Sequence, residues 1–146
     1  MLMKITAKFH CGIKVLIELA KNSENEGLMQ KEIAASQDMS LKFLDHIISA
    51  LKTSGLIYRV AKRNGYKLSR NSSEISVYDV YRAFEPEINI NICLLDESVC
   101  TKTKTCGARC FLFSFNNEMK IYMRNVTIEN LVAQEEKKLI EKLNLS

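Results

Sequence analysis

The chain has 146 residues, 47% of them apolar and 26% charged, and carries a formal net charge of +4. That is the size and make-up of one globular unit with at most an appended helix, and it holds enough apolar residues for a real core. No stretch approaches the ~20 consecutive apolar residues of a membrane span, and residues 1–6 lack the apolar core of a signal peptide, so the expected compartment is the cytoplasm and no membrane partner is expected.

Phe9, Ile13, Leu16, Ile17 and Ala20 keep helical spacing and predict a first helix over residues 6–20. Residues 21–27 form a polar loop. A short helix follows over residues 29–35, then a turn at Ser36 to Met39. Ser40 is placed to cap a second helix, whose Leu41, Leu44, Ile47, Ile48 and Leu51 share one apolar face. Gly55 stands where that helix should stop. Short helix, tight turn and longer helix make the helix-turn-helix pattern.

Leu56 to Val60 is β-branched and aromatic enough for a strand, and Tyr66 to Leu68 returns as a second. Asn64-Gly65 between them is a strong hairpin signal, because both residue types tolerate positive φ. A hairpin directly after a recognition helix is a wing. Ser76-x-x-Asp79 reads as a capping box, with Ile75 and Val80 as its hydrophobic staple. The helix it opens should stop at Glu85-Pro86. Residues 87–105 show no clear period and form the longest loop, a length that is usually functional. A long helix is expected over residues 107–124, with Leu112, Phe115, Met119, Tyr122 and Met123 as its apolar positions. Thr127-x-x-Asn130 opens a last helical stretch. The apolar side of the long helix is expected to meet a second copy of the chain.

The fold class expected is therefore mainly α with a small β-hairpin wing: a winged helix-turn-helix over residues 1–86, a cysteine loop over 87–107, and a long C-terminal dimerisation helix with a helical tail over 108–146.

Charge is concentrated. Between residues 41 and 70 stand Lys42, Lys52, Arg59, Lys62, Arg63, Lys67 and Arg70 against Asp45 alone. Such a segment suits a polyanion such as DNA. The N-terminal residues of a recognition helix reach base edges in the major groove, which makes Lys42, Phe43 and His46 candidate readers. Arg59, Lys62, Arg63 and Lys67 are candidates for phosphate or minor-groove contact, which sets affinity and register more than sequence choice. The plain alternative is a solvated cationic face.

The cysteines are Cys11, Cys93, Cys100, Cys106 and Cys110, the last four spaced Cys93-x6-Cys100-x5-Cys106-x3-Cys110. In a reducing compartment, clustered thiols point to metal binding or redox chemistry. Soft thiolates select iron–sulfur clusters, zinc or copper(I), and the paired C-x2-C knuckles of zinc sites are absent. Reduced thiols on a loop remain the alternative. Cys11 is expected in a core. With two histidines and no glycine-rich phosphate loop, no catalytic set assembles, and no enzyme is expected.

The order Glu32-Ile33-Ala34, Ser40-Leu41, Gly55-Leu56, Gly65 to Leu68, Glu74 to Val80, a three-cysteine loop and a long helix resembles the IscR/NsrR family of winged-helix repressors over nearly the whole chain. The resemblance implies a homodimer on palindromic operator DNA, acting as a repressor, with an iron–sulfur cluster ([2Fe–2S] or [4Fe–4S]) in each subunit. Family members sense cluster status, nitric oxide, iron supply or redox state. It also implies Cys93, Cys100 and Cys106 as ligands, with the fourth from His10 of the partner subunit or from Cys110. Two alternatives stay open: a cluster-free thiol-redox regulator, and a zinc-stapled DNA-binding module without sensing. Met29 departs from the Ser or Thr common at its position, which predicts a frayed start to the first helix of the motif. The wing is also poorer in glycine than is usual.

Overall fold

A computed structural model describes residues 2–145. Helix α1 (Ala7–Lys21) is followed by a short strand β1 (Leu28–Met29), then α2 (Gln30–Gln37) and α3 (Leu41–Thr53). Strands β2 (Ile57–Val60) and β3 (Gly65–Leu68) form the hairpin. After it come α4 (Val77–Phe84), a single turn α5 (Ile92–Leu95), α6 (Gly107–Asn125) and α7 (Ile128–Asn144). The protein is mainly α with a hairpin wing, a winged helix-turn-helix carrying a long C-terminal helix. Among the described residues, no helix is long and apolar enough to cross a membrane.

The helices begin where a side chain can satisfy a free N–H. Thr6 Oγ1 accepts from Phe9 N–H at 3.2 Å to open α1, and Ser40 Oγ accepts from Phe43 N–H at 3.2 Å to open α3. The expected capping box forms at Ser76, where Asp79 accepts from Ser76 N–H at 2.9 Å, and a second one opens α7, where Asn130 accepts from Thr127 N–H at 3.0 Å. The start of α2 is not left bare. Met29 has no capping oxygen, but the Glu32 carboxylate accepts from Met29 N–H at 2.7 Å. At the other end of α3, Gly55 takes φ +76°. Its N–H reaches Lys52 O and that of Leu56 reaches Leu51 O, each at 3.0 Å, a Schellman stop.

The sheet corrects two expectations. It has three strands in the order β1-β3-β2, all antiparallel, because Leu28 and Met29 pair with Tyr66 and Gly65. The turn is also placed differently. Val60 pairs with Gly65, so Gly65 belongs to β3, and Asn64 alone takes positive φ, at 54°. Glycine is needed at 65 for a different reason. A Cβ there would stand 2.8 Å from the backbone carbon of Gly27. Because that obstacle is backbone, Gly65→Ala is expected to lower stability by about 1–3 kcal/mol, as overpacking does. A urea titration would show it, and an unchanged midpoint would refute the close approach.

One core joins these elements. Val15 and Leu16 of α1, Leu44, Ile47 and Leu51 of α3, and Val80 and Tyr81 of α4 are fully buried with Ile128 of α7. Phe9 meets Tyr81 edge-on, ring centroids 5.4 Å apart. Ile128 N–H donates to Ile75 O at 2.9 Å and Val77 N–H to Val126 O at 2.8 Å, so the α6–α7 corner is bonded to the start of α4. The loop after α4 is less irregular than its sequence suggests, since it holds α5 and a 3₁₀ turn at Glu97–Val99.

Candidate nucleic-acid interface and cysteine loop

Helix α3 turns Leu44, Ile47, Ile48 and Leu51 inward and leaves Lys42, Asp45, His46 and Ser49 exposed. Phe43 is half-buried against the core, so only part of its ring faces outward. The Gln30 amide donates to Asp45 and, at 3.4 Å, to Leu41 O, which fixes the start of α2 to the start of α3.

In the wing, Arg59 Nη2 donates to Asn64 Oδ1 at 2.9 Å, and Arg63 faces Glu32 at 3.6 Å. That exposed pair is weak, so a phosphate can compete for Arg63. Lys62 lies in the turn with no polar partner among the described residues. Lys67 is half-buried in a cleft between β3 and the end of α1, beside Asn22 and Asn71, and stands apart from the wing tip. Arg70 is engaged within the fold, donating to Glu74 O at 3.0 Å and to Asp79 at 3.3 Å.

The cysteine loop is tied to α6 by residues that its cysteine pattern does not advertise. Asn116, only 4% exposed, accepts from Ile90 N–H and donates to Ile88 O, each at 3.1 Å. Arg109 donates to Cys93 O at 3.2 Å and to Glu97 at 3.1 Å. Thr103, 7% exposed, donates its hydroxyl towards Glu97 O and Cys100 O. A signal for Asn116 exists in the sequence: it is a polar residue at helical spacing among Leu112, Met119 and Met123.

All five thiols are free. Cys93 and Cys106 are half-buried, Cys100 and Cys110 exposed, and Cys11 is half-buried against the core. Cys106 immediately precedes α6 without a side-chain capping bond, and Cys110 lies one turn on, its N–H donating to Cys106 O at 3.2 Å. By donor type this set suits a soft metal or an iron–sulfur centre. By position it is not closed within the chain, since among the described residues no three Cys, His, Asp or Glu side chains converge to hold an ion.

His10 lies beside Cys11 but is not gathered with the four loop cysteines of its own chain. It is exposed and lines an apolar groove of about 450 Å³ with Ile13 and Ile17 of α1, Tyr122 of α6 and Leu131 of α7. That groove meets the C-terminal end of α6, whereas Cys106 sits at its N-terminus. The separation is roughly 24 Å along the axis at 1.5 Å per residue.

The apolar side of α6 divides in two. Met123 is buried in the chain's own core and Met119 packs against it, so these two do not wait for a partner as the sequence suggested. Phe111 and Phe115 stack with centroids 5.9 Å apart, and with Tyr122 they form an exposed aromatic row. Beside it, Glu87 binds α4 to α6: the Tyr78 hydroxyl, Arg82 and Lys120 all reach it, the last two at 3.2 and 3.1 Å. The Tyr78 hydrogen bond chiefly, with Lys120 and Arg82, holds the Glu87 carboxyl below its usual range. This contribution is present above the ordinary carboxylate range and fades as acid protonates Glu87.

A capped recognition helix behind a short helix and turn, followed by a hairpin and a basic surface, defines a winged helix-turn-helix DNA-binding regulator. The family model described as Rrf2, iron-dependent transcriptional regulator, matches residues 5–134. The chain therefore belongs to the Rrf2 family, whose members are DNA-binding transcriptional regulators and not enzymes. It is 25% identical over 92% of its length to the HTH-type transcriptional regulator IscR of Pectobacterium atrosepticum, covering 82% of that protein. Against IscR of Escherichia coli O1:K1 the identity is 24%, over 92% of this chain and 83% of that one. Among solved structures it superposes on CymR, the global cysteine regulator of B. subtilis, with TM-score 0.76 at 24% identity over 90% of this chain and 98% of that one. It superposes on T. potens IscR with TM-score 0.73 at 20% identity, over 93% and 90%. These structural likenesses establish the fold.

Proposed function

We propose that the chain is a cytoplasmic homodimeric repressor that binds a palindromic operator through α3 and the wing, with affinity set by an iron–sulfur cluster on the cysteine loop. The observation that carries this is the loop itself: three thiols held next to one helix by Asn116, Arg109 and Thr103. Cys93, Cys100 and Cys106 are the ligands proposed. The fourth is His10 of the partner subunit or Cys110 of the same loop. Tyr122, which lines the groove with His10, stands roughly 24 Å along α6 from Cys106, so His10 is proposed as a ligand across a dimer and not within one chain. When bound, such a group supplies a centre reactive to oxidants, nitric oxide and iron supply. The chain's own part is mechanical. Helix α1 packs on α3 and α4, so a change that moves His10 also moves the reading helix, giving the two-state element that sensing requires.

A second reading has its own support. The exposed Cys100 and Cys110 thiols suit a cluster-free redox switch, and solved neighbours include CymR of Staphylococcus aureus in an oxidized form, with TM-score 0.69 at 24% identity over 89% of this chain and 96% of that one.

One experiment separates these. The protein is purified without oxygen, iron, zinc and sulfide are measured, and binding to an operator selected from a random duplex pool is titrated in loaded and stripped forms. Iron with sulfide is expected in the wild type and none in Cys93→Ala, Cys100→Ala or Cys106→Ala, each still a folded dimer. Operator affinity should differ between forms by about 5- to 150-fold, the span of ordinary allosteric coupling. Equal affinities would reduce the cluster to a staple. A metal-free protein that responds to peroxide would establish the thiol switch, and zinc alone would establish a stapled module.

A further inference from the structure

Helix α3 has two flanks. Through Asp45, Ile48 and Lys52 it faces Gln30 of α2 and Tyr66 of the wing strand β3, with Ser49 and Thr53 on the ridge that borders both flanks. Its other flank, with α1 and α4, encloses a surface cleft of about 460 Å³. Lys8 of α1, His46, Ser49 and Thr53 of α3, and Arg82 of α4 line this cleft, and no carboxylate does. Among the described residues Lys8 and His46 have no hydrogen-bond or ion-pair partner, and the same holds for the Ser49 and Thr53 hydroxyls. Arg82 gives Nη1 to Glu87 at 3.2 Å and keeps Nε and Nη2. Two cations, an imidazole and two hydroxyls around a cleft that no carboxylate lines are the donor set of a phosphate oxyanion.

We infer that this cleft seats a phosphate of the DNA backbone, with Lys8 and Arg82 as its cations. The inference rests on the proposed use of α3 as the reading helix. A helix in the major groove lies between two phosphate backbones, the groove being about 12 Å wide. The wing cations stand on one flank of α3, and on the other the cations that line the cleft come from outside the helix-turn-helix motif. Lys8 and Arg82 do, from α1 and α4. His46 lies one turn after Lys42, so the cleft continues the same exposed stripe that carries the candidate base reader. A free phosphate-bearing small molecule shares the chemistry, and the test distinguishes it.

Lys8 is exposed and unpaired, which makes Lys8→Glu neutral for the fold. Arg82→Gln is the second variant, and Lys62→Ala/Arg63→Ala is the control for the wing. Each full-length protein is checked for an unchanged thermal melt and titrated against the selected operator and a random-sequence duplex over a range of salt. Lys8→Glu is expected to weaken both duplexes alike, by about tenfold at low salt, and to reduce the slope of log affinity against log salt by about 1. If the wing control weakens binding while Lys8→Glu and Arg82→Gln leave affinity and slope unchanged, the cleft is not a backbone site and the DNA-binding reading stands. If the wing control also changes nothing, the reading of the α3 face fails with it. Inorganic phosphate is titrated in parallel against the His46 ring signals by NMR. A shift abolished by Lys8→Glu, with duplex binding untouched, would assign the cleft to a small molecule and overturn the DNA assignment.

Discussion

Asn116→Leu is expected to lower the stability of the chain by about 2–3 kcal/mol, a large share of the ordinary 5–15 kcal/mol. Leucine keeps the branching and the number of side-chain heavy atoms but removes both hydrogen bonds. The Ile88 carbonyl, in a fully buried residue, loses its donor, and the partly buried Ile90 N–H loses its acceptor. A buried group left unpaired carries its full desolvation penalty, whereas a made hydrogen bond contributes only about 1 kcal/mol net. Asn116→Asp should be worse, because a second acceptor would then face Ile88 O. The effect reaches the loop. With residues 88 and 90 released, Cys93 and Cys100 should react faster with a thiol reagent. Urea unfolding read alongside thiol reactivity tests both points. A wild-type midpoint with wild-type thiol rates would show that Asn116 does not hold the loop.

The second large effect concerns assembly. Phe115→Glu should turn a dimer into a folded monomer and abolish tight operator binding. Phe111, Phe115 and Tyr122 are 66%, 48% and 71% exposed, an aromatic row that the chain itself leaves open to solvent on one side. Such a row is normally an interface. Because Phe115 lies outside the chain's own core, the helical signal should persist while the interface fails, since an unpaired carboxylate taken from water is strongly disfavoured. A two-fold pair is also what a palindromic site asks for. Sedimentation equilibrium at micromolar concentration decides it. A wild-type monomer, or a dimer indifferent to Phe115→Glu, would remove the proposed route by which His10 of the partner subunit reaches the cysteines.

Local signals carry most of the fold. Thr6, Ser40, Ser76 and Thr127 each cap the helix that follows, and Gly55 stops α3 as its position suggests. These are decided within four or five residues, where sequence is informative. What the sequence hides depends on partners far along the chain. Strand β1 is two residues long and exists because Tyr66 pairs with Leu28. Gly65 reads as a turn residue because its need for glycine comes from Gly27, which only folding brings beside it. Met119 and Met123 have the spacing of an outer apolar face, but the α4 and α7 surfaces that bury them are not visible in a helical wheel. Of the candidate site, the exposure of Lys42, His46 and Lys62 matches their polar character, while Arg70 and Lys67 show that a cation in a basic segment can have structural neighbours. The cysteine spacing locates the loop but not the straps that hold it.

Asn116 also marks an energetic boundary. The buried apolar residues skip from Ile88 to Met123, so the loop and the first half of α6 lie outside the core, with Thr103 as the buried residue between Ile88 and Asn116. That segment is held by hydrogen bonds and an exposed ion pair, while the reading head is held by packed side chains. Local opening of the first need not open the second, because segments that share few buried contacts exchange with solvent on separate free-energy scales. The cysteine loop can therefore come apart and re-form many times during the lifetime of one folded winged helix-turn-helix.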